Sequence, residues 1–219
     1  MALAKLKTED ERLYTVEEYL KIERKAFERS EYISGEIFAM AGESEKHGIV
    51  SVNLTSEIHQ QLKGKDCQLR AKDTKVASNV LPEKKTYSMK GMFSYPDLLI
   101  VCDEPKYHDE HKDIILNPKV IIEVLSESTE LFDRNTKFIR YSRFNTTLTD
   151  YILVSQKRPM VEHFVRIDEN SWNIRTYLGL KDSFSIESVG IKLKLSDIYD
   201  RVKFSREEMK FLREILKAR

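Results

Sequence analysis

Two strand-length apolar runs each carry a single carboxylate, and no other feature limits the fold so tightly. "YPDLLIVC", residues 95–102, sets Asp97 at the mouth of Leu98, Leu99, Ile100 and Val101, and "NPKVIIEVLSEST", residues 117–129, embeds Glu123 among Val120, Ile121, Ile122, Val124 and Leu125. Continuous apolar runs of this length read as buried strands. A carboxylate inside such a strand loses its hydration, so it must be hydrogen-bonded, paired or metal-bound. Counting by twos, Asp97 lies on the side of Leu99 and Val101, and Glu123 on the side of Ile121 and Leu125. If the strands are neighbours, both acids converge on one sheet face. The plainer alternative is a strand-end Asp97 in water and a Glu123 paired to an arginine; for Glu123 the cost of burial favours a site.

The rest of the chain supplies an α/β frame. "YTVEEYLKIERKAFE" (14–28) has Thr15 as N-cap with Glu18 three residues on, and reads as a helix. "EYISGEIFAM" (31–40) reads as a strand or hairpin arm, "HGIVSVNLTSEIHQQLKG" (47–64) as a second helix, and "CQLRAKDTKVAS" (67–78) as a strand. After the two acid-bearing runs come a helix at 129–144 and the strand "DYILVSQ" (150–156), giving the order αβββαβ. "MVEHFVRI" and "WNIRTYLGL" read as antiparallel additions and "SREEMKFLREILKAR" as a C-terminal helix. In the 129–144 helix, Leu131, Phe132, Phe138 and Ile139 form the expected apolar face. Asp133, Lys137 and Tyr141 recur along another edge, where Asp133 and Lys137 could pair at the surface for ~0.3–0.5 kcal/mol.

With 219 residues and 41% hydrophobic content, the chain suffices for one buried core, read here as a single domain over 1–204 with a helical extension over 205–219. Its 37 basic and 36 acidic residues leave a net charge of +1, which excludes a global field that would draw it onto nucleic acid or a membrane surface. Any phosphate contact must be local, and the candidates are Lys84, Lys85 and Lys90 in "PEKKTYSMKG" with Arg134, Arg140 and Arg143 on the helix. The start, "MALAKLKTEDERLYT", lacks the apolar core of a secretion signal, and no apolar run approaches the ~20 residues of a membrane span. The expectation is a cytoplasmic protein, off the membrane, in which Cys67 and Cys102 are free thiols. Met209, Phe211, Leu212, Ile215 and Leu216 give the last helix an apolar face suited to a homodimer.

The segments "EYISGEIFAMAGESEKHG", "YPDLLIVC", "LNPKVIIEVLSESTELFDRNTKFIRY", "DYILV" and "GIKLKLSDIYDRV" together resemble the Uma-two family of restriction endonucleases, within the PD-(D/E)XK nuclease superfamily. The resemblance runs from Tyr14 to about Phe204. It implies a restriction-endonuclease-like fold with a mixed sheet, and hydrolysis of phosphodiester bonds, of DNA before other substrates. It also implies Asp97 and Glu123 as ligands to Mg²⁺ or Mn²⁺. The superfamily's strand lysine is missing, since Leu125 stands in its place, and Lys137 from the following helix takes that role in the family resembled. Lys137→Ala is then expected to slow cleavage severely while leaving metal binding and the fold nearly intact, with Lys157 on a distal strand as a neutral control. Glu36 and His47 match family positions at the periphery of the site, and Arg134 and Arg140 are the nearest candidates for phosphate contact. The alternative function is a catalytically silent nucleic-acid-binding or regulatory module on the same fold.

Overall fold

The computed structural model describes residues 12–40, 42–78 and 91–217. The lysine-bearing loop with Lys84, Lys85 and Lys90 lies outside these residues.

Local signals start the chain as read, and long-range contacts set where its elements stop. Helix α1 (Val16–Glu23) opens on the complete capping box: Glu18 N–H donates to Thr15 Oγ1 and Thr15 N–H donates to Glu18 Oε2. It ends short of residue 28 because Glu23 turns inward to accept from Ser30 N–H and the Tyr95 hydroxyl, while Arg24 binds Asp109 and Asp113. Strands β1 (Ser30–Ile33) and β2 (Glu36–Ala39) form a hairpin whose turn residues, Ser34 and Gly35, both have positive φ. Helix α2 (Glu45–Leu62) starts at the N-cap Ser44, which accepts from His47 N–H at 3.2 Å.

The segment read as one strand over 67–78 is two. Lys72, at φ 50°, breaks it into β3 (Cys67–Ala71) and β4 (Lys75–Ser78), which enter different sheets. Strands β5 (Met92–Ser94), β6 (Leu98–Cys102), β7 (Ile114–Ile115) and β8 (Val120–Leu125) follow. A continuous helical stretch then runs through α3 (Glu130–Phe132), a π-helical segment (Asp133–Lys137) and α4 (Phe138–Phe144). The chain closes with β9 (Asp150–Ser155), β10 (Met160–Arg166), β11 (Trp172–Leu178), β12 (Ser183–Ile186), β13 (Ile191–Lys194), α5 (Leu195–Ile198) and α6 (Lys210–Lys217).

Among the described residues the strands make three sheets, ordered β2-β1-β5-β4-β7, β11-β10-β9-β8-β6-β3 and β12-β13. In the second, β8 pairs antiparallel with β6 and parallel with β9, so the sheet is mixed and the expected αβββαβ core is α2, β3, β6, β8, the broken helix and β9. The five-stranded sheet on the N-terminal side is larger than the helix and strand foreseen there. Opposite Leu99 stands Ile121, with Val101, Leu125, Tyr141 and Tyr151 packed on the same side. On the other side Leu98, Ile100, Ile122 and Val124 meet Val50, Leu54 and Ile58 of α2.

The cysteines are not free, contrary to expectation. Antiparallel pairing of β3 with β6 sets Cys67 directly opposite Cys102, with Cα atoms 4.0 Å apart, and the two form a disulfide. That facing depends on strand register, which the spacing of two cysteines does not report. No described helix is long and apolar enough to cross a membrane.

Candidate active site

Asp97 and Glu123 meet as the strand alternation requires. The β6–β8 register brings Asp97 alongside Glu123, and the contacts are reciprocal: Val124 N–H donates to Asp97 Oδ2 at 2.7 Å, and Asp97 N–H to Glu123 Oε2 at 3.4 Å. His47, in the first turn of α2, places Nε2 at 2.8 Å from Asp97 Oδ1. Burial works against the imidazolium, but the hydrogen bond and charge of Asp97 outweigh it, and the ring's pKa rises.

Lys137 completes the cluster from above the sheet. Its Nζ lies 3.2 Å from Glu123 Oε1, 3.2 Å from Glu31 Oε1 and 3.1 Å from Asp133 Oδ1, and the lysine is only 5% exposed. Burial opposes the ammonium, yet Asp133, Glu123 and Glu31 together raise its pKa well above the usual lysine value. Burial also pushes the carboxyls of Glu123 and Glu31 upward, with Lys137 pulling the other way. Tyr95 N–H donates to Glu31, and the Tyr151 hydroxyl donates to the Asp133 carbonyl, so the cluster is tied to the backbone on two sides.

The π-helical segment is what delivers Lys137. A uniform 3.6-residue period puts Leu131, Phe132, Phe138 and Ile139 on one inner face, but Leu131 and Ile139 are 73% and 61% exposed. Phe132 and Phe138 do pack against the core, and the polar edge of Asp133, Lys137 and Tyr141 is buried instead. The wider turn over Asp133–Lys137 shifts the helix phase and swings this edge onto the sheet. The Asp133–Lys137 pair read as a surface contact therefore forms inside the protein.

A cavity of about 660 Å³ opens over Glu31, Asp97, Glu123, Asp133 and Lys137. His47 belongs to its wall, and so does Lys157, which the sequence reading set apart as distal. The reason is that β9 runs parallel to β8, so the C-terminal ends of both strands open at one edge. Glu36 lies elsewhere: it pairs with Ile33 near the hairpin turn, and Glu31, farther along the same strand pair, is the acid that reaches the site. Arg134 is pinned between Glu130 and Glu162, and Arg140 donates to Ser34 Oγ at 2.7 Å; neither lines the cavity. Sequence reasoning missed Glu31, since a four-residue strand with one acid carries too little pattern to mark it.

The donor set fits a cation. Glu31, Glu123 and Asp133 surround one ammonium, and when all are ionised the cluster carries excess negative charge. Asp133 Oδ1 is buried with no hydrogen-bond partner, its contact with Lys137 being an ion pair only. At the rim Glu43, His47 and Asp97 offer ligand atoms within 4.8 Å of one another. Carboxylate oxygens are the ligands that hard divalent ions take.

A mixed-sheet αβββαβ core whose adjacent strands bring two acids, with a helix-borne lysine, to one edge defines a restriction-endonuclease-like fold. The chain belongs to the Uma2 family, described as "Putative restriction endonuclease", whose profile it matches over residues 16–196. It is 32% identical over 188 residues to the Synechocystis sp. protein slr1290, covering 86% of this chain and 92% of that one. It is also 32% identical over 168 residues to sll1609 of the same organism, covering 77% and 89% respectively. A crystal structure described as a "putative nuclease belonging to DUF820", from Anabaena variabilis, shares the fold with a TM-score of 0.68 at 15% identity, over 86% of this chain and 99% of that one. Family and fold together support a nuclease-like function.

Proposed function

We propose that the protein is a divalent-metal-dependent endonuclease that hydrolyses phosphodiester bonds of DNA. The observation that carries this reading is the convergence of Asp97 and Glu123 at one sheet edge with the Lys137 ammonium 3.2 Å from Glu123. Asp97 and Glu123 would hold Mg²⁺ or Mn²⁺, with Glu31 and His47 as supporting groups. The ion would offset phosphodiester charge and acidify bound water. Val124 N–H and His47 fix the Asp97 carboxylate, so it needs little reorganisation to present oxygen lone pairs. Lys137 remains charged at neutral pH, so it serves as a fixed positive group that orients the attacking water or stabilises developing charge, and not as a general base. A homodimer, which would set two such sites on a duplex, belongs to the same proposal; sedimentation showing only a 25.7 kDa species at all concentrations would remove it.

The second reading is a catalytically silent nucleic-acid-binding or regulatory module. It draws on Leu125 standing where the superfamily has its lysine, and on the commitment of Lys137 to surrounding carboxylates. The test is Mn²⁺-dependent cleavage of labelled single- and double-stranded DNA and RNA, with calorimetry of Mn²⁺ binding. Wild type should cut DNA and give binding heat, and Asp97→Ala should lose both. Metal binding without cleavage of any substrate would favour the silent module, and equal binding heat in Asp97→Ala would remove the ligand assignment.

A further inference from the structure

We propose that Lys46 is a phosphate anchor at the rim of this cavity, and that Glu208 of the C-terminal segment occupies its ammonium until a nucleic-acid strand displaces it. The inference rests on the nuclease reading and adds to it a substrate contact and its mask. Lys46 and Glu208 both line the cavity that holds Asp97 and Glu123. Lys46 Nζ sits 2.6 Å from Glu208 Oε1 and 5.4 Å from the centre of the Phe204 ring. Their side chains are 32% and 28% exposed, so the pair is open to solvent and to an incoming anion.

The other lysines of the wall are differently placed. Lys137 is buried among its acids, and Lys157 leans toward Glu127 and Glu130 at 3.4 and 3.8 Å, contacts made within the family-matched region. The partner of Lys46 comes instead from beyond residue 196, where the family match ends. Over residues 205–217 the described contacts include Ser205 and Glu208 capping one another, Arg158 4.5 Å over the Phe211 ring, and Leu212 at 2% exposure. Elsewhere the wall is dominated by acids, among them Glu31, Glu43, Asp97, Glu123, Glu127 and Asp133. A polyanion entering such a cavity needs a cation at the rim, and a carboxylate on an ammonium is the nearest protein imitation of a phosphate oxygen in that place. Lys46 holds the Glu208 carboxyl below its usual range, so the mask is charged at neutral pH. Exposed pairs of this kind are weak and salt-screened, which suits displacement.

The experiment measures anisotropy of a short fluorescent DNA strand in Ca²⁺ across a salt series, alongside Mn²⁺-dependent cleavage, with melting curves on each variant. Glu208→Gln should tighten binding by about two- to fivefold, the factor that loss of an exposed ion pair allows. Lys46→Ala should weaken it by a similar factor and lower the slope of log affinity against log salt by about one. Lys46→Arg should restore both, and Glu208→Gln added to Lys46→Ala should change nothing further. Binding seen only after Glu208→Gln would also support the mask. Wild-type binding or cleavage that neither substitution alters would overturn this inference and leave the nuclease reading standing. Absence of binding and cleavage in every variant would overturn both.

Discussion

Replacing Lys137 by Ala tests the buried cluster most directly, and the structure reverses what the sequence reading expects of the fold. The ammonium has carboxylate oxygens at 3.1, 3.2 and 3.2 Å, and the four side chains are 3–6% exposed. Removing it leaves three buried acids facing one another with no counter-charge. Breaking a buried pair from one side costs about 3–5 kcal/mol. Proton uptake by Glu31 and Glu123, whose carboxyls burial already pushes upward, offsets part of this. At about 2–4 °C per kcal/mol for a chain of this size, Tm should fall by about 6–20 °C. The assay is thermal melting at neutral pH in EDTA and in Mn²⁺, with exposed Lys181→Ala as control. Mn²⁺ should recover more of the loss in Lys137→Ala than it adds to wild type, because a cation then replaces a cation. Cleavage should fall on the order of 10²-fold or more even where folding is rescued. Lys137→Arg should rescue poorly, since a planar guanidinium does not fit the space of an ammonium. A Tm within about 2 °C of wild type in EDTA would refute the argument that the amine neutralises the cluster.

Two further outcomes follow from contacts away from the site. Burial raises the Asp113 carboxyl, but hydrogen bonds from Arg24 and Lys75 overcome it and hold the group at about 2. A carboxyl depressed below its unfolded value stabilises the protein above that value and loses the effect as pH falls through the folded one. Asp113→Asn should therefore cost about 1–2 kcal/mol at pH 7, discounted for partial exposure, with the gap to wild type closing between about pH 4 and 2; a gap that stays constant in urea titrations over that range would refute the assignment. Reduction of Cys67–Cys102, with a sequence separation of 35, should cost about 2–4 kcal/mol in denaturant titrations, and an unchanged midpoint in reductant would mean the bond does not constrain the chain.

The parts of the fold legible in sequence are those carried by a period or a local cap. Alternation placed Asp97 with Leu99 and Glu123 with Ile121, and the β6–β8 pairing needed only to join two faces already defined. The capping box at Thr15 and Glu18 likewise announced α1. What escaped depends on partners distant in sequence. Glu31 is an acid in a short strand until β1 docks on β5 and sets it under Lys137. Lys157 looks remote until β9 lies parallel to β8, and the cysteines look free until register makes them face. The inward turn of Asp133 and Lys137 was hidden for a different reason, because a change of helical phase leaves no mark in a pattern read at constant period.

That change of phase makes the site hostage to chain length over a few residues. Each residue of an α-helix advances the side-chain direction by about 100°. Losing one residue between Asp133 and Lys137 would only return the segment to an ordinary helix with both flanks in place. Losing one between Phe138 and Tyr141, where there is no extra residue to give up, would turn Lys137 by about 100° against Tyr141 and the core beyond it and swing the ammonium away from Glu123. A single-codon deletion could thus separate fold from activity more cleanly than most substitutions. The loss would be easy to overlook, because every residue type that the site requires would still be present in the sequence.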